Sequence, residues 1–289
     1  MSRIAYVNGR YLPKSEASVN VEDRGYQFAD GVYEVLYMMA GRFLDEGLHM
    51  ARLERSLREI SIAMPMKRAA LMAVLREVTT RNRLRDGLVY MQVTRGVARR
   101  DHAFPAASTP PALVVTCRRS PPYPASPDVW AASAITVPDQ RWARCDIKTV
   151  GLLPNVLAKQ AARTAGAYEA IMIGRDGHLT EGSSTTVWVV DAQGVLRTHR
   201  LGHAILPGCT RESLLQQMAG SNIATEERAV SEAELRTARE MFLTSATSFV
   251  KPITTLDGVP VGDGTVGPVT RELFALFARH ASAGINTPH

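Results

Sequence analysis

The sequence predicts a mixed α+β/α/β protein of two domains, and three observations carry that prediction. Apolar residues alternate at period two in some stretches and recur every three or four residues in others, so strands and helices are interleaved along the chain. With 289 residues, 45 % of them hydrophobic, the chain is longer than one ordinary domain and can bury two cores. Between Pro121 and Pro127 four of seven residues are proline, which makes a stiff extended connector. The expected division is a smaller N-terminal α/β domain over 1–119, a linker over 120–128 and a larger domain over 129–289.

Ile4–Val7 and Arg10–Leu12 flank Asn8-Gly9, a pair suited to the positive φ angles of a tight hairpin turn, so a strand pair opens the chain. Asp23–Gly31 reads as a loop. Val32–Met39 alternates large residues on both faces and reads as a strand buried on both sides, with Tyr33 near its start and Ala40-Gly41-Arg42 turning it. From Leu48 the period changes: Met50, Leu53, Leu57, Ile60 and Met64 line one helical face, and Pro65 is expected to end it. Arg52 falls off that stripe. A second helix follows over about Arg68–Asn82, then strands over Leu88–Thr94 and Ala112–Cys117, joined by a polar loop carrying Arg99, Arg100 and His102.

Beyond the prolines, Val129–Val137 is a strand and a helix starts near Pro154, where a first-turn proline loses no needed N–H. Ala167–Ile173, Val187–Val190 and Val195–Thr198 give further strands, with Thr180–Ser184 as a loop between them. A helix begins near Thr210, Met241–Leu243 is a short buried strand, and a last amphipathic helix covers about Val269–His280.

Composition narrows the function. No apolar run is long enough to span a membrane, and the first residues lack a signal peptide's apolar core, so no membrane association and a cytoplasmic protein are expected. Three cysteines, widely spaced and without a CxxC pattern, argue against both a disulfide framework and a zinc site. The net charge of +6 is spread along the chain without interleaved aromatics, which speaks against nucleic acid and for anionic small molecules.

The chemistry centres on Arg141–Pro154. Of 34 basic residues only five are lysine, and one of them, Lys148, lies between Ile147 and the apolar Val150, Leu152 and Leu153. A guanidinium cannot become a neutral nucleophile, whereas a partly desolvated ammonium can, and it can then form a Schiff base with a carbonyl. On the run alone, a lysine snorkelling at a strand end is the commoner meaning. Two Gly/Ser/Thr-rich stretches bear on the choice. Gly208-Cys209-Thr210 opens a helix, whose first N–H groups suit a phosphate, and Thr244–Ser248 adds hydroxyls and amides in a turn. Each alone is an N-cap or an ordinary turn. Glu181 sits in a small-residue loop, where it either reaches a ligand's ring nitrogen or caps a turn. A lysine, a phosphate cup and an isolated carboxylate are together what a pyridoxal phosphate site needs. Arg100 with His102 matches a substrate carboxylate, or is surface charge.

Glu22–Phe28, Gly31–Val35, Gln92–Gly96, Arg144–Lys148, Val156–Gln160, Tyr168–Ile171 and Thr180–Ser184, in this order, resemble the D-amino acid aminotransferases among the fold-type IV pyridoxal phosphate enzymes along nearly the whole chain. The resemblance implies a larger C-terminal, cofactor-binding domain with a β-barrel-like sheet. It implies pyridoxal 5′-phosphate as cofactor, with Lys148 as its Schiff-base lysine and proton shuttle and Glu181 as the partner of its ring nitrogen. Arg52, Cys209, Thr210, Ser245 and Ala246 would hold the phosphate, Leu206 would pack on the ring, and Ser183 and Ser184 would belong to the same site. Tyr33, Val35, Arg100 and His102 would bind substrate, with Arg100 and His102 reaching the other subunit of a homodimer. The implied reaction moves the amino group of a D-amino acid, D-alanine first, to a 2-oxo acid such as 2-oxoglutarate or pyruvate; no metal takes part. A branched-chain or (R)-amine aminotransferase or an aminodeoxychorismate lyase is the alternative, and Arg100-Asp101-His102 argues against it. Thr186 and Ala246 depart from the family's usual asparagine and threonine.

Overall fold

The structure, a computed structural model, describes residues 3–283; the outermost residues of the two expected domains, 1–2 and 284–289, lie outside the described residues. The chain divides into two compact units. One runs to Pro122 and takes in Ile147–Gly151; the other holds Tyr123–Asp146 and the residues from Leu152 on. The stretch read as a linker over 120–128 is therefore partly built in: the Tyr123 ring lies 4.9 Å from those of Phe249 and Phe274, and its hydroxyl donates to the Phe274 carbonyl at 3.0 Å. The lysine segment, expected inside the larger domain, returns to the first unit.

In the first unit β1 (Ile4–Val7) and β2 (Arg10–Pro13) form the expected hairpin, with Asn8 at φ 44° and Gly9 at φ 92°. The expected loop at 23–31 instead holds a short helix, α1 (Arg24–Phe28), because Asp23 caps it by accepting from the Gly25 N–H and Ala29 closes it at φ 56°. Next come β3 (Gly31–Met39), β4 (Arg42–Phe43), α2 (Glu46–Glu59), α3 (Arg68–Arg81), β5 (Gly87–Thr94) and β6 (Ala112–Arg119). The six strands make an antiparallel sheet in the order β2-β1-β6-β5-β3-β4. α2 stops at Glu59, well before Pro65, since Ser61 turns left-handed at φ 54°.

β3 is buried on both sides at its far end, where Tyr37 is enclosed on the face opposite Leu36 and Met38, but only on one side at its start. Val32, Leu36 and Met38 pack with Met50, Leu53 and Leu57 of α2 and Leu71, Leu75 and Val78 of α3, while Tyr33 and Val35 point the other way and stay half-buried. Each fully buried aliphatic side chain contributes about 1.5–3 kcal/mol. Period-two alternation thus leaves a second face of the sheet for function.

The second unit begins with a 3-10 turn over Asp128–Trp130, then β7 (Ala132–Pro138), α4 (Leu153–Thr164), β8 (Glu169–Ile173), β9 (Leu179–Gly182), β10 (Thr186–Val190) and β11 (Leu196–Thr198). It continues through α5 (Cys209–Met218), β12 (Thr225–Glu227), α6 (Glu232–Arg236), β13 (Glu240–Ser245), β14 (Phe249–Leu256), β15 (Val259–Pro260) and α7 (Pro268–Ser282). The sheet runs β12-β11-β10-β13-β14-β7-β8-β9, with β15 on β14, and mixes parallel pairs (β7 with β8 and β14, β11 with β12) with antiparallel ones. β9 is the last strand of this order, yet only Ser183–Thr185 separate it from β10 near the opposite end. So short a link spans about 10–13 Å, which brings the two strands together and curls the sheet into a partial barrel. Among the described residues no helix is long and apolar enough to cross a membrane, and Cys117, Cys145 and Cys209 are unpaired and buried.

Candidate active site

In the first unit the site is built on the start of β3. Gly31 lies so close to β5 that a Cβ there would meet the Val93 carbonyl at 2.7 Å, and its own carbonyl accepts the Val150 N–H at 3.1 Å. The next residues extend this clamp: Val32 bridges Thr149, and the Tyr33 N–H donates to the Lys148 carbonyl at 3.0 Å. The Lys148 N–H points at Ser56 Oγ of α2, 3.4 Å away. With its backbone held on both sides, Lys148 extends its half-buried amine over the Tyr33 ring, 4.4 Å from the centroid. Tyr33 stacks on Tyr90 with centroids 5.6 Å apart, and Tyr90 donates to Gln92 Oε1 at 2.7 Å; burial pushes the Tyr90 phenol up to about 12.

On the opposite face of β3 sits Glu34, fully buried. Arg52 grips it with two hydrogen bonds of 2.8 Å, and His49 Nδ1 lies 2.7 Å away. Burial works to raise the Glu34 pKa, but the charge and hydrogen bonds of Arg52, with His49, outweigh it and hold the carboxylate well below its usual range. Arg52 leaves the apolar stripe, as its place in the sequence suggested, because it belongs to this buried polar cluster. Glu34 was missed; the signal was a carboxylate on the strand's core-facing register, beside an unexplained buried-side arginine.

Arg100 and His102 are exposed. The Arg100 guanidinium sits over the Phe28 ring at 4.9 Å and the His102 ring lies 5.5 Å from it. Neither bonds to Tyr33 or Lys148 among the described residues. Their loop is held from below: Arg24 donates to the Asp101 carbonyl at 2.6 Å and is fixed in turn by Asp30, which also takes two bonds from Arg95. Burial raises the Asp30 pKa less than the two arginines lower it.

In the second unit Glu181 stands on β9, on a strand and not in the expected loop. One carboxylate oxygen pairs with Arg141 and the other accepts the Leu206 N–H at 3.2 Å, which places Leu206 beside the carboxylate. The following turn hangs from a second buried carboxylate that sequence reasoning did not single out, Glu169. It accepts hydrogen bonds from Ser183, from Thr185 at 3.1 Å, from the Ala170 N–H at 3.0 Å and from Lys159 at 3.2 Å. Ser183 spends its N–H on the Ala170 carbonyl as well, so both its donors order the turn; Ser184 is exposed, 3.4 Å from Glu169.

Cys209 and Thr210 are buried in the first turn of α5. Its N-cap, Gly208, has no side chain to satisfy the first N–H groups, and a Cβ there would lie 2.9 Å from Thr186 Oγ1. Thr186 pairs across strands with Thr244, directly before the Ser245 turn. Ser245 Oγ accepts the N–H groups of Thr247 and Ser248, while Ala246 is half-buried beside it. The helix start and the turn, separate in sequence, thus meet through Thr186. An uncapped helix N-terminus with buried hydroxyl and thiol neighbours fits a phosphate dianion, and the buried carboxylate of Glu181 fits a protonated ring nitrogen. The donor set therefore fits pyridoxal phosphate.

Comparison with known proteins agrees. The family model described as amino-transferase class IV matches residues 31–256. The chain is 44 % identical over 266 residues to the D-alanine aminotransferase of Bacillus licheniformis, covering 92 % of this chain and 93 % of that one. It is 38 % identical over 276 residues to the D-alanine aminotransferase of a Staphylococcus aureus strain, covering 95 % and 96 %. Among solved structures, the branched-chain amino acid aminotransferase of Escherichia coli superposes with a TM-score of 0.86 at 23 % identity, over 96 % of this chain and 95 % of that one. A second branched-chain amino acid aminotransferase, from T.th. and with pyridoxamine 5′-phosphate, does so with 0.87 at 23 %, over 97 % and 94 %. At that identity the structures speak for the fold alone.

Proposed function

The chain belongs to the class IV aminotransferases, and on that premise we propose that it moves the amino group of a D-amino acid, D-alanine first, to a 2-oxo acid, with pyridoxal 5′-phosphate as cofactor. The observation that carries the reading is the clamp on Lys148, whose backbone is fixed to β3 while its amine stays half-buried over Tyr33. A charged side chain held only for solubility needs no such clamp; a nucleophile that must return to one place does.

Pyridoxal phosphate, when bound, supplies an electron sink that makes an amino acid's α-hydrogen removable. The protein supplies the rest. Lys148 would hold the cofactor through its amine and would move the proton at the substrate's α-carbon. Glu181 holds the proton at the ring nitrogen. The first turn of α5, with Cys209 and Thr210, and the turn at Ser245 and Ala246 bind the phosphate. Leu206 would lie against the ring, and Ser183 and Ser184 keep the β9–β10 turn in place through Glu169. Arg52 supports Tyr33 from behind through Glu34, and its guanidinium is the remaining candidate for a phosphate contact. Tyr33 and Val35 line the substrate face. The two half-reactions use one site in turn, so ping-pong kinetics follow.

A homodimer belongs to the same proposal. Arg100 and His102 would serve the other subunit's site, and the first unit leaves Val21, Tyr26 and Phe104 74 %, 75 % and 63 % exposed, an apolar surface suited to a second copy. A cytoplasmic location accords with the three unpaired cysteines. The decisive experiment is a panel of D- and L-amino acids and simple amines against pyruvate and 2-oxoglutarate with chiral analysis of the product. Turnover of L-amino acids or amines in place of D-alanine refutes the proposal.

A further inference from the structure

The geometry points to Arg141, with Asp139 behind it, as the positioning pair that keeps Glu181 ionised and aimed; this rests on the proposed role of Glu181 toward the cofactor's ring nitrogen. Arg141 is almost wholly enclosed, with its side chain 4 % exposed. Its Nε and Nη2 grip the two oxygens of Asp139 at 3.0 and 2.6 Å, and Nη2 also reaches the Ala204 carbonyl at 3.0 Å. Nη1 is directed at Glu181 Oε1. Asp139 is fastened as well, taking the Thr180 hydroxyl at 2.7 Å. The planar fork is therefore shared between two carboxylates at fixed angles, which a lysine's single ammonium cannot reproduce.

Sharing has an electrostatic result. Two carboxylates and one guanidinium sum to a charge of −1, so Glu181 faces a ligand with a negative charge still available. Were Arg141 paired with Glu181 alone, that charge would be cancelled; were Arg141 absent, two buried carboxylates would compete for one proton. Arg141 holds Asp139 below its usual carboxylate range against the opposing effect of burial. The other groups facing the cluster are Cys145, whose thiol burial pushes up to about 11 against the opposing charge of Arg141, and Asp146, paired with Arg144 at 3.0 Å. At neutral pH the Cys145 thiol stays uncharged.

The test uses Arg141→Met and Asp139→Asn, each compared with the unaltered enzyme. In the unaltered protein Asp139 has a depressed folded pKa, so its stabilisation is present above the unfolded value and is lost as pH falls. In R141M the paired carboxylates acquire a raised pKa, so stability is greatest at low pH and is lost as pH rises through that value. The gap in melting temperature between enzyme and R141M should therefore shrink by a few degrees, on the order of 3 °C or more, between pH 8 and pH 5. The dissociation constant of pyridoxal 5′-phosphate should rise about 10-fold or more, matching one lost charge-assisted hydrogen bond. A gap of equal size at every pH marks Arg141 as packing only and overturns the proposal. If R141M does not fold, D139N decides: with the arginine's charge falling undivided on Glu181, pyridoxal 5′-phosphate should bind more weakly, increasingly so from pH 6 to 9. Affinity that follows the unaltered enzyme at every pH refutes the idea. Failure to transaminate D-alanine would sink the functional reading while leaving the melting test of Arg141 intact.

Discussion

Replacing Glu34 by glutamine probes the scaffold under Lys148 without touching the lysine. The substitution keeps the shape and removes the charge that Arg52 and His49 share. Removing one partner of a buried ion pair costs about 3–5 kcal/mol, because the remaining charge stays desolvated. For a chain of this size that lowers the melting temperature by about 10 °C. The sign of the pH effect follows from the depressed folded pKa of Glu34. Its stabilisation is complete above the unfolded value of about 4.3 and declines by about 1.4 kcal/mol for each pH unit below it. Thermal unfolding at pH 7 and pH 3 should therefore show the gap between enzyme and E34Q closing by about 1.8 kcal/mol, roughly 5 °C. Because Glu34 directly follows Val32, which bridges Thr149, and Tyr33, which holds the Lys148 carbonyl, turnover should fall as well. A melting change under about 2 °C, or a gap equal at both pH values, would refute the account of Arg52 as half of a structural ion pair.

Lys148→Ala should reduce transamination by about 10²–10⁴-fold or more, the contribution of a positioned proton carrier, and a steady-state assay with D-alanine checks it. Arg100→Ala should raise KM for D-alanine about 10-fold or more with a smaller change in kcat, as expected when a charge-assisted hydrogen bond to a carboxylate is lost; unchanged KM rejects Arg100 as the carboxylate's partner. Asp30→Asn should loosen Arg24 and with it the Asp101 carbonyl, raising KM for D-amino acids several-fold while leaving pyridoxal phosphate affinity unchanged, a split that equilibrium titration of the cofactor reads separately. Light scattering of the purified enzyme should give twice the chain mass, and a monomer at assay concentration would remove Arg100 and His102 from the site.

Elements whose apolar pattern is set locally were legible: the Asn8-Gly9 hairpin, α2 and α3, the two long strands β3 and β5, and α7. β14 escaped because Pro252 interrupts it, and proline argues against an interior strand. The structure nevertheless carries Pro252 inside β14, paired with Phe242 of β13, while β7 joins only from Ile253 on. β9 escaped because Leu179–Gly182 is too short and too small-residued to carry a period. At the site, Lys148 stood out by residue type and Arg52 by its place off a stripe. Glu169, Arg141 and Glu34 could not be found that way, since what marks them is a partner distant in sequence: Arg141 is 40 residues from Glu181, and Glu34 is 18 from Arg52. Alternation did place Glu34 on the core side of β3, and that was the available clue.

The five-residue return of Ile147–Gly151 to the first unit also sets an order of events during synthesis. A nascent chain that has emerged as far as Pro122 has every strand of its sheet, yet the Tyr33 N–H and the Gly31 carbonyl still await partners more than a hundred residues downstream. Closing so long a loop is slow but costs little more than closing a shorter one, since the entropy grows only with the logarithm of length. The lysine segment thus joins a sheet whose strands have all been made, and a gene cut at the proline-rich stretch would leave the first half without Lys148.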